Sequence, residues 1–240
     1  MKKLNEIERI PTPQLILWRV IRVLTLIYGI YGLFTNSVTM LLMSIFTIAF
    51  THLWDFFQLF GGKSFITRVP YSSQTAFNIF IFYGCVIGYT LNSKTNFPYS
   101  DIITHTLSGV IATWFAYDLA VAIQGKKRHL SPALASLFSF TFSMFLAVAW
   151  ELYEFTMDRV YGYMLQTSDI ISEIGIVDTM EDFICCAIGS VLGMFFIAFY
   201  RNGIIGPNRK ERRAKVKAQS KLDRKEELEY LGIAKESRTP

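Results

Sequence analysis

Six long apolar stretches, separated by short polar connections, make up most of the chain as far as Tyr200. A helix needs roughly 20 mostly apolar residues to cross the hydrocarbon core of a bilayer, and each stretch is close to that length or longer. The pattern therefore predicts an all-α, polytopic transmembrane helix bundle of about six spans, followed by a charged soluble tail. The predicted spans are Leu15–Phe34, Val38–Phe60, Gln74–Leu91, Asp101–Ile123, Pro132–Asp158 and Val177–Tyr200.

Composition and charge placement support a membrane protein with a defined orientation. Of the 240 residues, 52% are hydrophobic and 18% are charged, whereas about a quarter of the residues in a typical soluble protein are charged. Cytoplasmic loops are enriched in Lys and Arg. With six spans all basic segments fall on one side, which predicts that both termini are cytoplasmic. These segments contain Lys2, Lys3, Arg9, Lys63, Arg68, Lys126, Lys127, Arg128 and the run from Arg209 to Lys225.

The composition changes near residue 203. Residues 1–203 form the predicted transmembrane domain, and residues 204–240 form a cytoplasmic tail in which basic and acidic residues alternate. Such alternation is typical of a solvent-exposed helix, and attraction to anionic lipid headgroups is a second role for it. The net charge of +5 does not indicate a nucleic-acid partner, because the basic residues lie where membrane topology places them. The expected partner is the lipid bilayer.

Acidic residues and a histidine concentrate at the predicted outer ends of three consecutive spans. Asp101 and His105 are spaced i,i+4 on the fourth span, and Asp178 and Asp182 have the same spacing on the sixth. Residues at this spacing share one face of a helix, so we expect all of them at one depth of the membrane. The fifth span adds Glu151, Glu154 and Asp158 at spacings i, i+3 and i+7.

So many carboxylates at one depth require compensation. A carboxylate at the bilayer centre costs about 2.5–3.5 kcal/mol on insertion scales and less near the interface, and carboxylates that lie close together oppose one another's ionisation. The same side of the bundle offers Lys94 and Arg159 as its fixed positive charges. The excess of negative charge predicts bound protons, water or a cation.

Structural roles are the alternative for part of this cluster. Asp178 begins an Asp-x-x-Glu pattern typical of a helix cap, and Ser100 with Asp101 would cap the fourth span in the same way. Asp158 lies at the last turn of the fifth span, where solvent or Arg159 would pair with it. A functional role is favoured for the residues that lie a turn or more inside their spans, which are His105, Glu151, Glu154 and Asp182.

Polar residues also lie near the opposite ends of the spans, where acids and bases are balanced. Balanced charges within a membrane predict a salt-bridge network rather than a binding site. Its expected members are Arg19, Arg22, His52, Asp55 and Asp118.

Small residues on the fourth and sixth spans predict how these helices pack. Gly189 and Gly193 form a G-x-x-x-G pattern on the sixth span, and Gly109 lies on a small face of the fourth. Small residues let helices approach closely in membranes. We therefore expect the two helices to pack tightly beneath the acidic cluster.

Three blocks of the same region resemble a family signature. The blocks run from Asp101 to Gly109, from Trp150 to Asp158 and from Asp178 to Asp182, with Gly189 following. In order and spacing they resemble a bacterial membrane family typified by YjdF and are more distantly similar to VanZ-like proteins. The resemblance implies a location in the bacterial cytoplasmic membrane and a shared polar site, and it implies no particular activity.

Three functions are compatible with this site. The first is a divalent-metal-dependent hydrolase or transferase acting on a lipid-linked substrate, because carboxylates and imidazole suit Mg²⁺, Mn²⁺ or Zn²⁺. In it, Glu151 and Glu154 are the candidate catalytic residues, one of them as general base. The second is a cation- or proton-coupled transporter, and the third is a non-catalytic assembly or interaction protein. The candidate metal ligands are Asp101, His105, Glu151, Glu154, Asp158, Asp178 and Asp182.

Overall fold

The computed structural model describes residues 10–59, 68–91, 99–125, 131–163, 165–166 and 173–231. All regular elements in these residues are helices, as the apolar pattern predicts. They are α1 Thr12–Phe34, α2 Val38–Thr51, α3 Leu53–Leu59, α4 Tyr71–Phe82, α5 Ser100–Gln124, α6 Pro132–Tyr161, α7 Glu173–Arg201 and α8 Arg209–Tyr230, with a π-helical segment Tyr83–Gly88 after α4. The Lys and Arg residues that lie outside the described ranges are Lys2, Lys3, Arg9, Lys63, Lys94, Lys126, Lys127, Arg128, Lys235 and Arg238.

Five helices in the described part of the chain are long and apolar enough to cross a membrane. Each exposes large apolar side chains, as expected for a helix surrounded by lipid; examples are Ile27, Ile79, Leu107, Leu137 and Ile184. The polytopic helix bundle is thereby confirmed. The five helices are Thr12–Phe34, Tyr71–Leu91, Ser100–Gln124, Pro132–Tyr161 and Gly175–Arg201.

The predicted span Val38–Phe60 is interrupted at His52, between α2 and α3. The carbonyl of Ile48 accepts hydrogen bonds from the backbone N–H of His52 at 3.1 Å and from the hydroxyl of Thr51 at 3.2 Å. The guanidinium of Arg22 donates to the carbonyl of Thr51. Side chains that bond to helix carbonyls compete with the regular backbone pattern and bend or end a helix. Within the described residues 38–59, the predicted second span is therefore divided into the shorter apolar helix α2 and the short helix α3, and Phe60 lies outside the described residues.

Helices α2 and α3 run back along α1 in an antiparallel pair. The hydroxyl of Ser44 donates to the carbonyl of Thr25 at 2.8 Å, and Gly29 leaves room for Ser44 where the helices cross. Farther along, Arg22 Nη1 lies 2.7 Å from Asp55 Oδ2. The pairing extends from the turn after Phe34 to the N-terminal half of α1.

The predicted salt-bridge network is confirmed in part. Among the described residues, Arg22 and Asp55 form an ion pair. Asp118 instead accepts a hydrogen bond from the hydroxyl of Ser73. The side chains of Arg19 and His52 are exposed. In the described part of the chain, the predicted network is therefore represented by the Arg22–Asp55 ion pair, while Asp118 is stabilised by neutral hydrogen-bond donors.

An aromatic core lies between α1, α2, α3, α4 and α5. The ring centroids of Phe77 and Phe115 are 5.0 Å apart, and those of Trp54 and Phe115 are 5.6 Å apart. The indole N–H of Trp54 donates to Asn78 Oδ1 at 3.2 Å. The other buried members are Trp18, Met43, Val69, Ile81, Cys85, Leu119 and Ala122.

Helices α5 and α7 pack backbone against backbone, as their glycines predict. A Cβ added to Gly109 would lie 2.3 Å from the carbonyl oxygen of Cys186, and one added to Gly189 would lie 2.1 Å from that of Thr106. No side chain fits at these distances. The contact fixes the register of α5 against α7 and so determines which of their side chains meet.

The chain divides into two compact units, Met1–Met194 and Phe195–Pro240, and the predicted boundary at residue 203 stays a prediction. In the second unit, the Arg212 guanidinium lies 4.0 Å from the ring centroid of Tyr200. Arg213 Nε donates to the carbonyl of Gly203 at 3.1 Å. On α8, Lys215 donates to Glu211 at 2.7 Å and thereby holds the pKa of that exposed carboxyl below its usual value.

Candidate metal site

Asp101, His105 and Asp182 come together at the N-terminal end of α5. His105 Nε2 lies 3.5 Å from Asp101 Oδ1 and 3.5 Å from Asp182 Oδ2. One potential ligand atom of each residue lies within 4.8 Å of the other two. We refer to these three residues as the carboxylate–histidine group. His105 and Asp182 are 7% and 4% exposed, whereas the side chain of Asp101 is 36% exposed, so the group is accessible from the side of Asp101.

Local helix geometry places these side chains. Asp101 lies in the first turn of α5, where the helix dipole favours a carboxylate, and His105 follows one turn later on the same face. Asp182 reaches the group from α7. One turn beyond it, Cys186 Sγ donates to the carbonyl of His105 at 3.3 Å and lies 2.9 Å from the hydroxyl of Ser108. These contacts hold α7 in register beside His105.

Glu151, from α6, interacts with all three residues of the carboxylate–histidine group and is 4% exposed, although its carboxylate lies outside the set of mutually close ligand atoms found among the described residues. Its Oε2 accepts a hydrogen bond from the Thr179 hydroxyl at 2.9 Å, whereas its Oε1 is buried without a hydrogen-bond partner among the described residues. Asp182 and His105 are neighbours of Glu151 whose charges act on it directly. Two ionised carboxylates cannot donate to each other. A proton or a cation is therefore expected beside Glu151 Oε1.

Two more predicted ligands lie at the edge of this arrangement. Glu154 accepts a hydrogen bond from the indole N–H of Trp150, one turn earlier on α6, at 2.9 Å. Its interactions with the group and with Glu151 are electrostatic. Asp178 is half-buried, and its carboxylate lies outside the set of mutually close ligand atoms found among the described residues.

Asp158 binds the connection that follows α6. It is 1% exposed, and its two carboxylate oxygens accept the backbone N–H groups of Leu165 at 2.8 Å and Gln166 at 3.1 Å. This pairing differs from the expected pairing with solvent or Arg159. Arg159 instead places its guanidinium 5.2 Å from the ring centroid of Phe155.

The sequence suggested two helix caps, Asp178 for the sixth span and Ser100 with Asp101 for the fourth, and both suggestions are wrong. Helix α7 begins at Glu173, more than a turn before Asp178, so Asp178 lies inside the helix. Helix α5 begins at Ser100, and its N-cap residue is Tyr99, which forms no side-chain cap bond. The hydroxyl of Ser100 is buried with no partner among the described residues.

Sequence reasoning missed Thr179 and Gln166. Gln166 Nε2 donates to Thr179 Oγ1 at 3.0 Å, and Thr179 in turn contacts Glu151. A signal for Thr179 was present, because it precedes Asp182 by three residues and so shares its helical face. Gln166 lies in a connection without periodicity, and nothing in the sequence pattern identified it.

The fold and the site define a polytopic α-helical membrane protein with a carboxylate–histidine group formed by two of its helices, α5 and α7. A family model described as "Predicted membrane protein (DUF2238)" matches residues 13–203, and the chain belongs to this family. No curated protein and no solved structure matches the chain. The match confirms the expected membrane family without an assigned activity, whereas the likeness to YjdF and VanZ-like proteins stays a prediction.

Proposed function

We propose that the carboxylate–histidine group binds a divalent metal ion and that the protein uses this ion in hydrolysis or group transfer on a lipid-linked substrate. The observation that carries the proposal is the position of His105 Nε2 between two carboxylate oxygens, each 3.5 Å away. A second observation supports it: Glu151, which interacts with His105 and Asp182, has one carboxylate oxygen, Oε1, buried without a hydrogen-bond partner among the described residues. The hypotheses of transport and of a non-catalytic assembly role stay predictions.

The spacing of the donor atoms favours Zn²⁺ among the candidate ions. Ligands bound at about 2.1 Å with tetrahedral geometry lie about 3.4 Å from one another, which is close to the two distances from His105 Nε2. Three protein ligands leave a coordination position open, as in catalytic zinc sites. Glu151 completes the site through Oε1, either on the ion or on a water molecule bound to it.

The depth of the site favours a substrate that lies in the bilayer. The group lies in the first turns of α5 and is accessible from the side of Asp101. Large apolar side chains on the same helix turns, Ile102 and Ile103, are exposed. A lipid-linked molecule would place its polar headgroup at this depth while its chains stay among the apolar side chains. A bound metal would activate water or stabilise a phosphoryl oxygen of that headgroup.

Metal analysis of the purified full-length protein tests the proposal. We expect about one Zn²⁺ per chain after loading and removal of excess metal, and loss of it in the His105→Ala, Glu151→Gln double variant, because the imidazole ligand and the adjacent carboxylate are removed. His52→Ala is the matched control, since His52 is an exposed histidine on another part of the bundle. Equal metal content in wild type and double variant would show that the proposal is wrong.

We also propose that both termini lie on the cytoplasmic side of a bacterial cytoplasmic membrane. The antiparallel course of α2 and α3 along α1 supports one broken crossing in addition to the five long helices. Six crossings place every basic segment on one side, as the positive-inside rule requires.

Reporter fusions test this orientation. Alkaline phosphatase inserted in the turn Thr35–Ser37 is expected to be active, because that turn would be external, and a phosphatase fused after residue 240 is expected to be inactive. A green fluorescent protein at the C-terminus serves as the control for expression. Phosphatase activity at the C-terminus would contradict the proposed topology.

We further propose that the N-terminal part of α8 binds anionic lipid headgroups. From Arg209 to Lys221 the helix carries seven basic residues and a single acidic one, Glu211. Most of these basic side chains are exposed. Basic residues near an anionic membrane surface contribute about 1 kcal/mol each to attraction.

A further inference from the structure

A chain of hydrogen bonds connects the segment between α6 and α7 to Glu151. Gln166 Nε2 donates to Thr179 Oγ1 at 3.0 Å, and the Thr179 hydroxyl donates to Glu151 Oε2 at 2.9 Å. An amide nitrogen donates and does not accept, so it cannot take the proton of the hydroxyl. That single proton therefore points to Glu151, and the direction of the chain is fixed.

Asp158 fixes the other end of this chain. Its two carboxylate oxygens accept the consecutive backbone N–H groups of Leu165 and Gln166 at 2.8 and 3.1 Å. Gly162 ends α6 in the left-handed conformation, with φ of 67°, and so lets the chain turn back over the end of its own helix. Because Asp158 is 1% exposed, these charge-assisted bonds are protected from water. They hold the backbone that carries the Gln166 amide.

We propose that Asp158, Gln166 and Thr179 are positioning residues for Glu151. They hold its carboxylate by Oε2, and this leaves Oε1, which is buried without a hydrogen-bond partner among the described residues, available to an ion or water molecule at the carboxylate–histidine group. The inference rests on the proposed metal site and deepens it, because it assigns the orientation of the carboxylate that borders the ion. It also gives Asp158 the role of anchoring the connection, in place of the role of metal ligand expected from the sequence.

Zn²⁺ affinity of the purified full-length protein tests this assignment. Thr179→Val keeps the shape of the side chain and removes the hydroxyl, and we expect it to weaken Zn²⁺ binding by about 10-fold, within the range seen when groups that orient metal ligands are removed. Thr179→Ser restores the hydroxyl and is expected to restore affinity. Thr156→Val is the matched control, because the exposed Thr156 donates to its own helix at Leu152.

A second measurement separates failure of this inference from failure of the metal site. If wild type binds Zn²⁺ and Thr179→Val binds it equally well, the positioning role is wrong and the metal site stands. If wild type binds no Zn²⁺, the proposed metal site is wrong. The contact between Thr179 and Glu151 is then tested by thermal unfolding of three metal-free variants: Thr179→Val, Glu151→Met and the double variant. If the melting temperature of the double variant is lowered by less than the sum of the decreases in the two single variants, the two residues interact and the contact is supported. If the two decreases simply add, the positioning role is wrong.

Discussion

The guanidinium of Arg22 contacts two partners near the C-terminal end of α2. One guanidinium nitrogen lies 2.7 Å from Asp55 Oδ2, and the other donates to the carbonyl of Thr51. The guanidinium is a planar fork that presents several donors in fixed directions, whereas a lysine is a single point charge. Arg22 therefore stabilises both the carboxylate of Asp55 and a helix carbonyl that the break leaves available.

Replacing Arg22 by Lys tests this double role. We expect Arg22→Lys to lower the free energy of unfolding by about 1–3 kcal/mol, the cost of leaving a buried polar group without its partner. Arg19→Lys is the matched control on the same helix, because the side chain of Arg19 is exposed. Thermal or denaturant unfolding of the purified proteins measures the free energy of unfolding of both variants. Equal stability of the two variants would contradict the role given to Arg22.

Residue spacing predicted contacts within a helix better than contacts between helices. The proximity of Asp101 and His105 follows from i,i+4 spacing alone, and the structure contains it. The same rule paired Asp178 with Asp182, yet only Asp182 joins the group, because the meeting point is set by the register of α7 against α5. Spacing also could not show that Asp158 turns to the backbone of the following connection.

At the scale of elements, the α5–α7 contact decides whether a site exists. Asp182 reaches His105 only because Gly109 and Gly189 let the two backbones approach. Both glycines lie within two turns of the site residues on their own helices. Any change that separates the helices here moves Asp182 away from His105 as well as loosening the packing.

Alanine at either glycine should therefore affect stability and metal binding together. We expect Gly109→Ala and Gly189→Ala each to cost about 1–3 kcal/mol through overpacking and to weaken Zn²⁺ binding. Gly84→Ala is the control, because the nearest atom to its added Cβ would be 3.9 Å away, on Thr104. Unfolding and metal titration measure the two effects. Retention of wild-type metal affinity in both variants would show that the contact does not position Asp182.

Hydropathy predicted where helices lie but not where they are interrupted. The apolar stretch Val38–Phe60 has the same hydropathy whether the helix is continuous or broken, and the break depends on bonds that involve Thr51, His52 and Arg22. The π-helical segment Tyr83–Gly88 likewise leaves no trace in an apolar pattern. The break after α2 and the π-helical segment depend on contacts between residues that are far apart in the sequence. A hydropathy pattern along the chain cannot predict such contacts.

At the scale of the whole molecule, charge and apolar surface are separated along the chain. The spanning helices expose apolar side chains, whereas α8 is charged along its length and divided into a basic part and a more acidic part. The acidic part, from Asp223 to Glu229, contains Lys225 paired with Glu229. Attraction to a negative membrane surface is therefore expected from residues 209–221 and not from the whole helix.

Hydrogen exchange of the full-length protein in lipid nanodiscs tests this expectation. We expect amides of residues 209–221 to exchange more slowly in nanodiscs that contain anionic lipid than in neutral ones, because each basic residue adds about 1 kcal/mol of attraction near the surface. The difference should disappear at about 1 M salt, where the Debye length falls to about 3 Å.

Two variants show which charges are responsible. Replacing Arg209, Lys210, Lys217 and Lys221 by Gln should abolish the dependence on anionic lipid, whereas replacing Glu226 and Glu227 by Gln leaves the basic part intact and should preserve it. Because both variants keep the length of α8, loss of the dependence in the first alone would be an effect of charge. Exchange that is equally fast in neutral and anionic nanodiscs would instead identify α8 as a solvated helix, the first role that its alternating charges suggested.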